Sequence, residues 1–129
     1  MARIYEEHGE VAVEVAGRRQ CMTYAQAYEL RLQLENTMLS IRAARLQLYA
    51  RTVEGTPGLR YFHPCGHGES KGLVECATGK ELEQAKRELV TMAAYMGLEY
   101  EPKTKGGYSR AHRTHRQEFT IRMRLEQYR

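Results

Sequence analysis

The spacing of apolar positions changes once in the first third of the chain. In "EVAVEVAGRRQCMT", Val11, Val13 and Val15 alternate with Ala12, Glu14 and Ala16, a period of two that predicts a strand with one apolar face. A turn at Gly17-Arg18 and a returning strand through Cys21 complete a hairpin, and residues 4–7, ahead of His8-Gly9, add a further short strand. From Thr23 the period becomes helical. Thr23 and Gln26 have the spacing of a capping box, in which hydroxyl and amide each satisfy an orphan backbone donor, and neither Gly nor Pro follows until Gly55. At 100° per residue, Ala27, Leu30, Leu34, Met38, Ile41, Ala44 and Leu48 form one stripe, and Tyr28, Leu32, Leu39, Leu46, Tyr49 and Val53 form another. A helix over about residues 24–53 runs about 40 Å, longer than a small domain is wide. One sheet covers one face only, so the second stripe needs a further partner. A homodimer is the expectation, with Leu32, Leu39, Leu46 and Val53 at its interface; the competing account is cover by the later helix or the hairpin within one chain.

"GTPG" (55–58) stops the helix, and "LRYFH" and "GLVECA" read as two strands flanking a loop. Thr78-Gly79-Lys80-Glu81 is a second capping box; Leu82, Ala85, Leu89, Met92, Ala93 and Met96 then make a one-sided stripe that ends at Gly97. "LEYE" leads out as a short strand. "PKTKGGYSRAHRTHR" has no period, is rich in Gly and basic residues, and reads as a basic flexible loop at about 102–117. Phe119, Ile121, Met123 and Leu125, alternating with polar residues, make the final strand. The order from residue 11 is ββ-α-β-β-α-β-β. This is an α+β class, two helices packed on one mostly antiparallel sheet, in a single domain of residues 1–129.

Composition narrows the function. Of the 129 residues, 28% are charged and 42% hydrophobic, which fits a packed globule, and no apolar run is long enough to span a bilayer. "MARIYEEHGE" lacks the apolar core of a signal peptide, so a cytoplasmic location is expected, where Cys21, Cys65 and Cys76 would be thiols. All 16 acidic residues are Glu, so magnesium-dependent phosphoryl chemistry and acid–base dyads would have to be built without Asp; this argues against an enzyme. The net charge of +4 is uneven. From Lys103 onward eight basic residues face two acidic ones, +6, whereas residues 1–102 hold twelve against fourteen, −2.

"YFHPCGHGESKG" (61–72) is the densest chemical stretch. His63, Cys65 and His67 are two apart, and Cys76 on the returning strand completes a set of two imidazoles and two thiolates suited to tetrahedral zinc, structural or hydrolytic. "PCGH" is similar to the cysteine–glycine–histidine step of some zinc-binding loops, although Pro64 and Gly66 break the extension and no paired C-x2-C knuckle is present. The bland reading is a turn with solvated histidines and no cofactor. Gly68-Glu69-Ser70-Lys71-Gly72 matches the nucleophile-elbow pattern, but a strand follows the serine where an elbow needs a helix. The P-loop order is absent. "SKGLVECATGKELEQAKREL" locally resembles the third strand and second helix of RNA-recognition motifs, where a Lys-Gly step opens the strand, but the base-stacking aromatics are absent: Leu73 and Cys76 occupy the stretch and two positions are missing.

The C-terminal segment carries the better signal. Lys103, Lys105, Arg110, Arg113 and Arg116 are interleaved with Tyr108, His112 and His115, with Arg122 and Arg124 continuing along the final strand. Cations spaced by planar rings can follow a phosphate backbone and stack on exposed bases. The leading expectation is a small non-enzymatic protein that binds nucleic acid, or a complex that handles it, through these residues. The alternatives are a phage or mobile-element interaction protein, anti-CRISPR-like, that occupies a host protein or nucleoprotein surface, and a small zinc-binding protein.

Overall fold

The computed structural model describes residues 2–65 and 69–125. Its contacts cluster into two units, one made of the described residues up to Met38 and the other of Leu39–Leu125.

In the first unit, β1 (Ala2–Glu7), β2 (Glu10–Val15) and β3 (Arg18–Met22) form an antiparallel three-stranded sheet in chain order. Both connections are two-residue turns with positive φ at each central residue: His8 and Gly9 at 51° and 81°, Ala16 and Gly17 at 54° and 77°. These mirror-image turns match the right-handed twist of the strands they join. Ala12, on the central strand, is the unit's only buried apolar side chain among the described residues. Backbone pairing and cross-strand ion pairs such as Arg3–Glu14 (3.1 Å) and Arg19–Glu7 hold the sheet. The unit ends in the opening of α1 (Tyr24–Val53), where Thr23 N–H donates to Gln26 Oε1 (2.9 Å) and Gln26 N–H donates to Thr23 Oγ1 (3.2 Å), the capping box read from the sequence.

In the second unit, β4 (Leu59–His63), β5 (Lys71–Cys76), β8 (Thr114–Met123) and β6 (Leu98–Pro102) lie side by side in that order, each antiparallel to its neighbour, and β7 (Gly107–Ser109) pairs with the start of β8. The second half of α1 and α2 (Gly79–Tyr95) share one core with this sheet. Thr78 caps α2, its Oγ1 accepting Glu81 N–H at 3.1 Å, and Gly97, with φ of 71°, follows its end. The α+β class and the order of elements are as expected. The strands divide between two sheets instead of forming one, because β1–β3 pair only with each other.

Phe119 organises the core. Its ring lies over Gly72, the paired residue on β5, where any Cβ would overlap it. Phe62 and Tyr100 stack parallel to it on either side, at centroid distances of 6.0 and 4.7 Å, and Tyr49 meets Phe62 edge-on at 5.2 Å. Leu46, Tyr49 and Val53 are buried here, and Tyr49 Oη donates to Leu89 O at 2.9 Å. The expectation that Leu46 and Val53 sit at a dimer interface is therefore corrected: the chain's own core covers that part of the stripe. Leu32 stays exposed and Leu39 half-buried.

Ser70 is fully buried; its Oγ donates to Ile121 O (2.7 Å) and accepts Ile121 N–H (2.8 Å), so it closes the β5–β8 ladder beyond the last regular pair. Both capacities of the hydroxyl are used structurally, which accounts for the serine of the G-x-S-x-G match. Ser70→Ala leaves a buried N–H and C=O without partners and is expected to destabilise the protein by about 1–3 kcal/mol in urea unfolding. Gly72→Ala should cost more than Ser70→Ala, because the Phe119 ring has to leave its place; a change below about 0.5 kcal/mol, the ordinary surface value, would contradict this packing account.

Candidate nucleic-acid interface

The basic segment is largely organised. Lys103 N–H donates to Glu118 O (2.8 Å), Thr104 Oγ1 accepts Glu118 N–H (3.1 Å), and buried Gln117 donates from Nε2 to Thr104 O (3.1 Å) while accepting Tyr100 Oη–H at 2.8 Å. Gly106, with φ of 42°, packs where a Cβ would press on the Gln117 amide. Residues 107–117 then form a hairpin, β7 and the first part of β8. The expected loop at about 102–117 is corrected accordingly, and β8 starts five residues before Phe119. Thr114, His115, Arg116 and Gln117 are all polar, so their alternation offers no hydrophobic contrast to read.

The hairpin tip is stapled by its own side chains. Ser109 Oγ lies 2.9 Å from His112 Nδ1 and accepts His112 N–H at 3.4 Å, and Arg113 N–H donates to Ser109 O at 2.8 Å. Arg113 has φ of 55°, the left-handed region that disfavours a side chain of its size. Tyr108 is opposite His115, ring centroids 5.2 Å apart, and remains exposed. A shallow cavity of about 530 Å³ follows the hairpin, with Lys105, Tyr108, Ser109, His112 and Arg116 in its lining. His115 is turned towards the start of α2, its ring 3.5 Å from where a Cβ on Gly79 would sit.

The cations separate into two groups. Lys103 pairs with Glu69 (2.8 Å), Arg116 with Glu75 (3.5 Å), and Arg122 with Glu99 and Glu101 (3.1 and 3.4 Å). Arg116 and Arg122 lie on the sheet face opposite the helices, where Arg60–Glu75 (3.0 Å) adds a further pair, so that face is charge-balanced. Lys105, Arg110 and Arg113 are exposed and have no ion pair among the described residues. Arg122 lies eight residues along β8 from Thr114, roughly 26 Å away, and exposed Arg124 lies further still. The structure thus brings together Lys105, Tyr108, Arg110, His112 and Arg113, with Arg116 beside them but engaged by Glu75 and Lys103 engaged by Glu69, and it sets Arg122 and Arg124 towards the far end of β8.

The described members of the expected zinc set are not all brought together. His63 pairs with Lys71, whereas Cys76 is five residues further along β5, roughly 16 Å away, and buried on the helix-facing side beside Gly58. His63 is exposed and stacks on Tyr61 at 4.8 Å, Cys65 is half-buried, and His67 lies outside the described residues. Among the described residues no three potential ligands come together, and Cys76, its thiol pKa raised by burial, behaves as a small apolar side chain. None of the described helices is long and apolar enough to cross a membrane. Compared with family models, with curated proteins and with solved structures, the chain matches none of them.

Sequence reasoning missed Ser109, whose only signal is its position three residues before His112, and Glu75, which binds three partners across the sheet. The hydrogen bond from Thr114 Oγ1 (2.8 Å), with Arg116 and Arg60 beside it, holds the Glu75 carboxyl below its ordinary value of 4.5 despite partial desolvation. A depressed folded-state pKa contributes stability that is present above the unfolded value and lost as pH falls through the folded one. Carbon-detected NMR titration should therefore place Glu75 below 4.5, and Thr114→Val should move it upward. An unmoved midpoint would discount the threonine.

Proposed function

We propose that this protein binds nucleic acid non-enzymatically through the β7–β8 hairpin. Lys105, Arg110 and Arg113 neutralise phosphates, and Tyr108 offers an exposed ring on which an unpaired base can stack. One observation carries the reading: the cations at this end of β8 lack acidic partners among the described residues, while Lys103, Arg116 and Arg122 are each engaged by Glu. A cation already paired releases fewer counterions when it meets a phosphate, so the unpaired group dominates binding. Ser109 and His112 hold the turn and thereby limit the ordering cost of binding. With three cations and one ring on a single hairpin, the contacts fall mainly on the phosphate backbone, with little sequence preference.

Fluorescence anisotropy with labelled single- and double-stranded oligonucleotides tests this. Affinity should fall steeply with salt. The combined change Lys105→Ala, Arg110→Ala and Arg113→Ala should lower the log–log salt slope by about 2–3 and weaken binding for every sequence, while Arg122→Ala leaves the slope nearly unchanged. Binding that ignores salt and the triple change would overturn the proposal. If the protein instead retains a stoichiometric protein partner from cell extract after nuclease treatment, unaffected by the triple change, the interaction-protein reading replaces it.

A further inference from the structure

The stripe of α1 that stays uncovered is the other one. Leu30, Leu34, Thr37, Ile41, Ala44 and Leu48 follow one another at spacings of four and three residues, and all six are exposed, the four large ones by 41%, 55%, 46% and 48%. That alternation is the seam of a paired helix, in which each side chain enters a space between side chains of the facing helix. Leu32, Leu39, Leu46 and Val53 fall on the opposite side, and the burial of Leu46 and Val53 in the chain's own core leaves the seam facing outward. From Leu30 to Leu48 it runs about 27 Å along one continuous helix, longer than the isolated apolar spots normal on a soluble protein.

We propose that α1 pairs antiparallel with α1 of a second copy of this chain along this seam. The order of sizes argues for a second copy. About a two-fold axis level with Leu39, Leu30 meets Leu48 of the second copy, Leu34 meets Ala44, and Thr37 meets Ile41. Every layer then holds a large aliphatic side chain and no layer holds two small ones, the interdigitation that fills a seam without voids. A parallel pairing in register would set Thr37 on Thr37 and Ala44 on Ala44, leaving two layers hollow. The flanks are compatible. Gln33, Ser40 and Gln47 line one side without charge; on the other, exposed Met38 lies next to the axis, Arg31 lies two residues off the level of Arg45 of the second copy, and Glu35, 2.9 Å from Arg31, supplies a compensating carboxylate. This pairing does not depend on the nucleic-acid reading.

Light scattering on the eluting protein at tens of micromolar should give twice the chain mass of 14.9 kDa. Leu34→Glu with Ile41→Glu should return it to one chain mass with its far-ultraviolet helix signal kept, since both residues are exposed. A wild-type mass of one chain, or a dimer that survives the double change, overturns the proposal. Should the double variant lose its helix signal, cross-linking decides. In a Cys21→Ser, Cys65→Ser background, chains carrying Leu34→Cys and chains carrying Ala44→Cys should form a disulfide when mixed under oxidation and neither should do so alone. Linkage through position 34 in both chains, or no linkage, rules the antiparallel pairing out.

Discussion

The contact between the Phe119 ring and the backbone of Gly72 is the constraint on which the second unit rests. Neighbouring strands lie less than about 5 Å apart, and an aromatic ring can lie flat over an adjacent strand only where that strand has no side chain on the same face. With Gly72 there, Phe119 occupies the sheet centre and Phe62 and Tyr100 stack on it from strands on either side. Tyr100 in turn reaches Gln117, and Gln117 reaches Thr104, so the geometry of the core passes through three side chains to the root of the basic hairpin. The candidate interface is thus held by hydrogen bonds that begin in the hydrophobic centre.

Charge is distributed by the same sheet. On the face away from the helices, Arg116 of β8 meets Glu75 from one neighbouring strand and Arg122 meets Glu99 and Glu101 from the other. Antiparallel register makes this possible because opposed residues have side chains a few ångströms apart on one face. At the hairpin tip, Lys105, Arg110 and Arg113 form no ion pair among the described residues, although Glu118 lines the same cavity. A net charge that looks continuous along the sequence is paired over the sheet and unpaired at its end.

This separation explains what is legible in the sequence. The hairpin around Val11, Val13 and Val15, the capping box at Thr23, the Thr78 N-cap, the stop at Gly97 and the strand through Phe119 and Ile121 rest on local rules, and each is found in place, although Glu81 Oε1 accepts from Thr78 Oγ1 and not from its backbone N–H. Leu46 and Val53 are misplaced by periodicity because both stripes of α1 are apolar, and spacing alone cannot say which stripe the core covers. Cys76 groups with His63 by distance along the chain, which a hairpin register turns into separation along a strand. Lys103, Arg116 and Arg122 read as available cations because their partners come from residues 69, 75, 99 and 101, pairings only the fold creates. Ser70 sits inside a catalytic-looking pattern, and its burial against Ile121 is invisible without the β5–β8 pairing.

The backbone of Arg113 works against its own side chain. Its φ of 55° is a conformation that glycine adopts without cost and asparagine with little, whereas a long side chain there is strained by about 1–2 kcal/mol. The chain instead holds a guanidinium at the position of its tip least suited to a side chain, so replacement by either of those smaller residues would relieve the backbone and at the same time remove one cation from the tip.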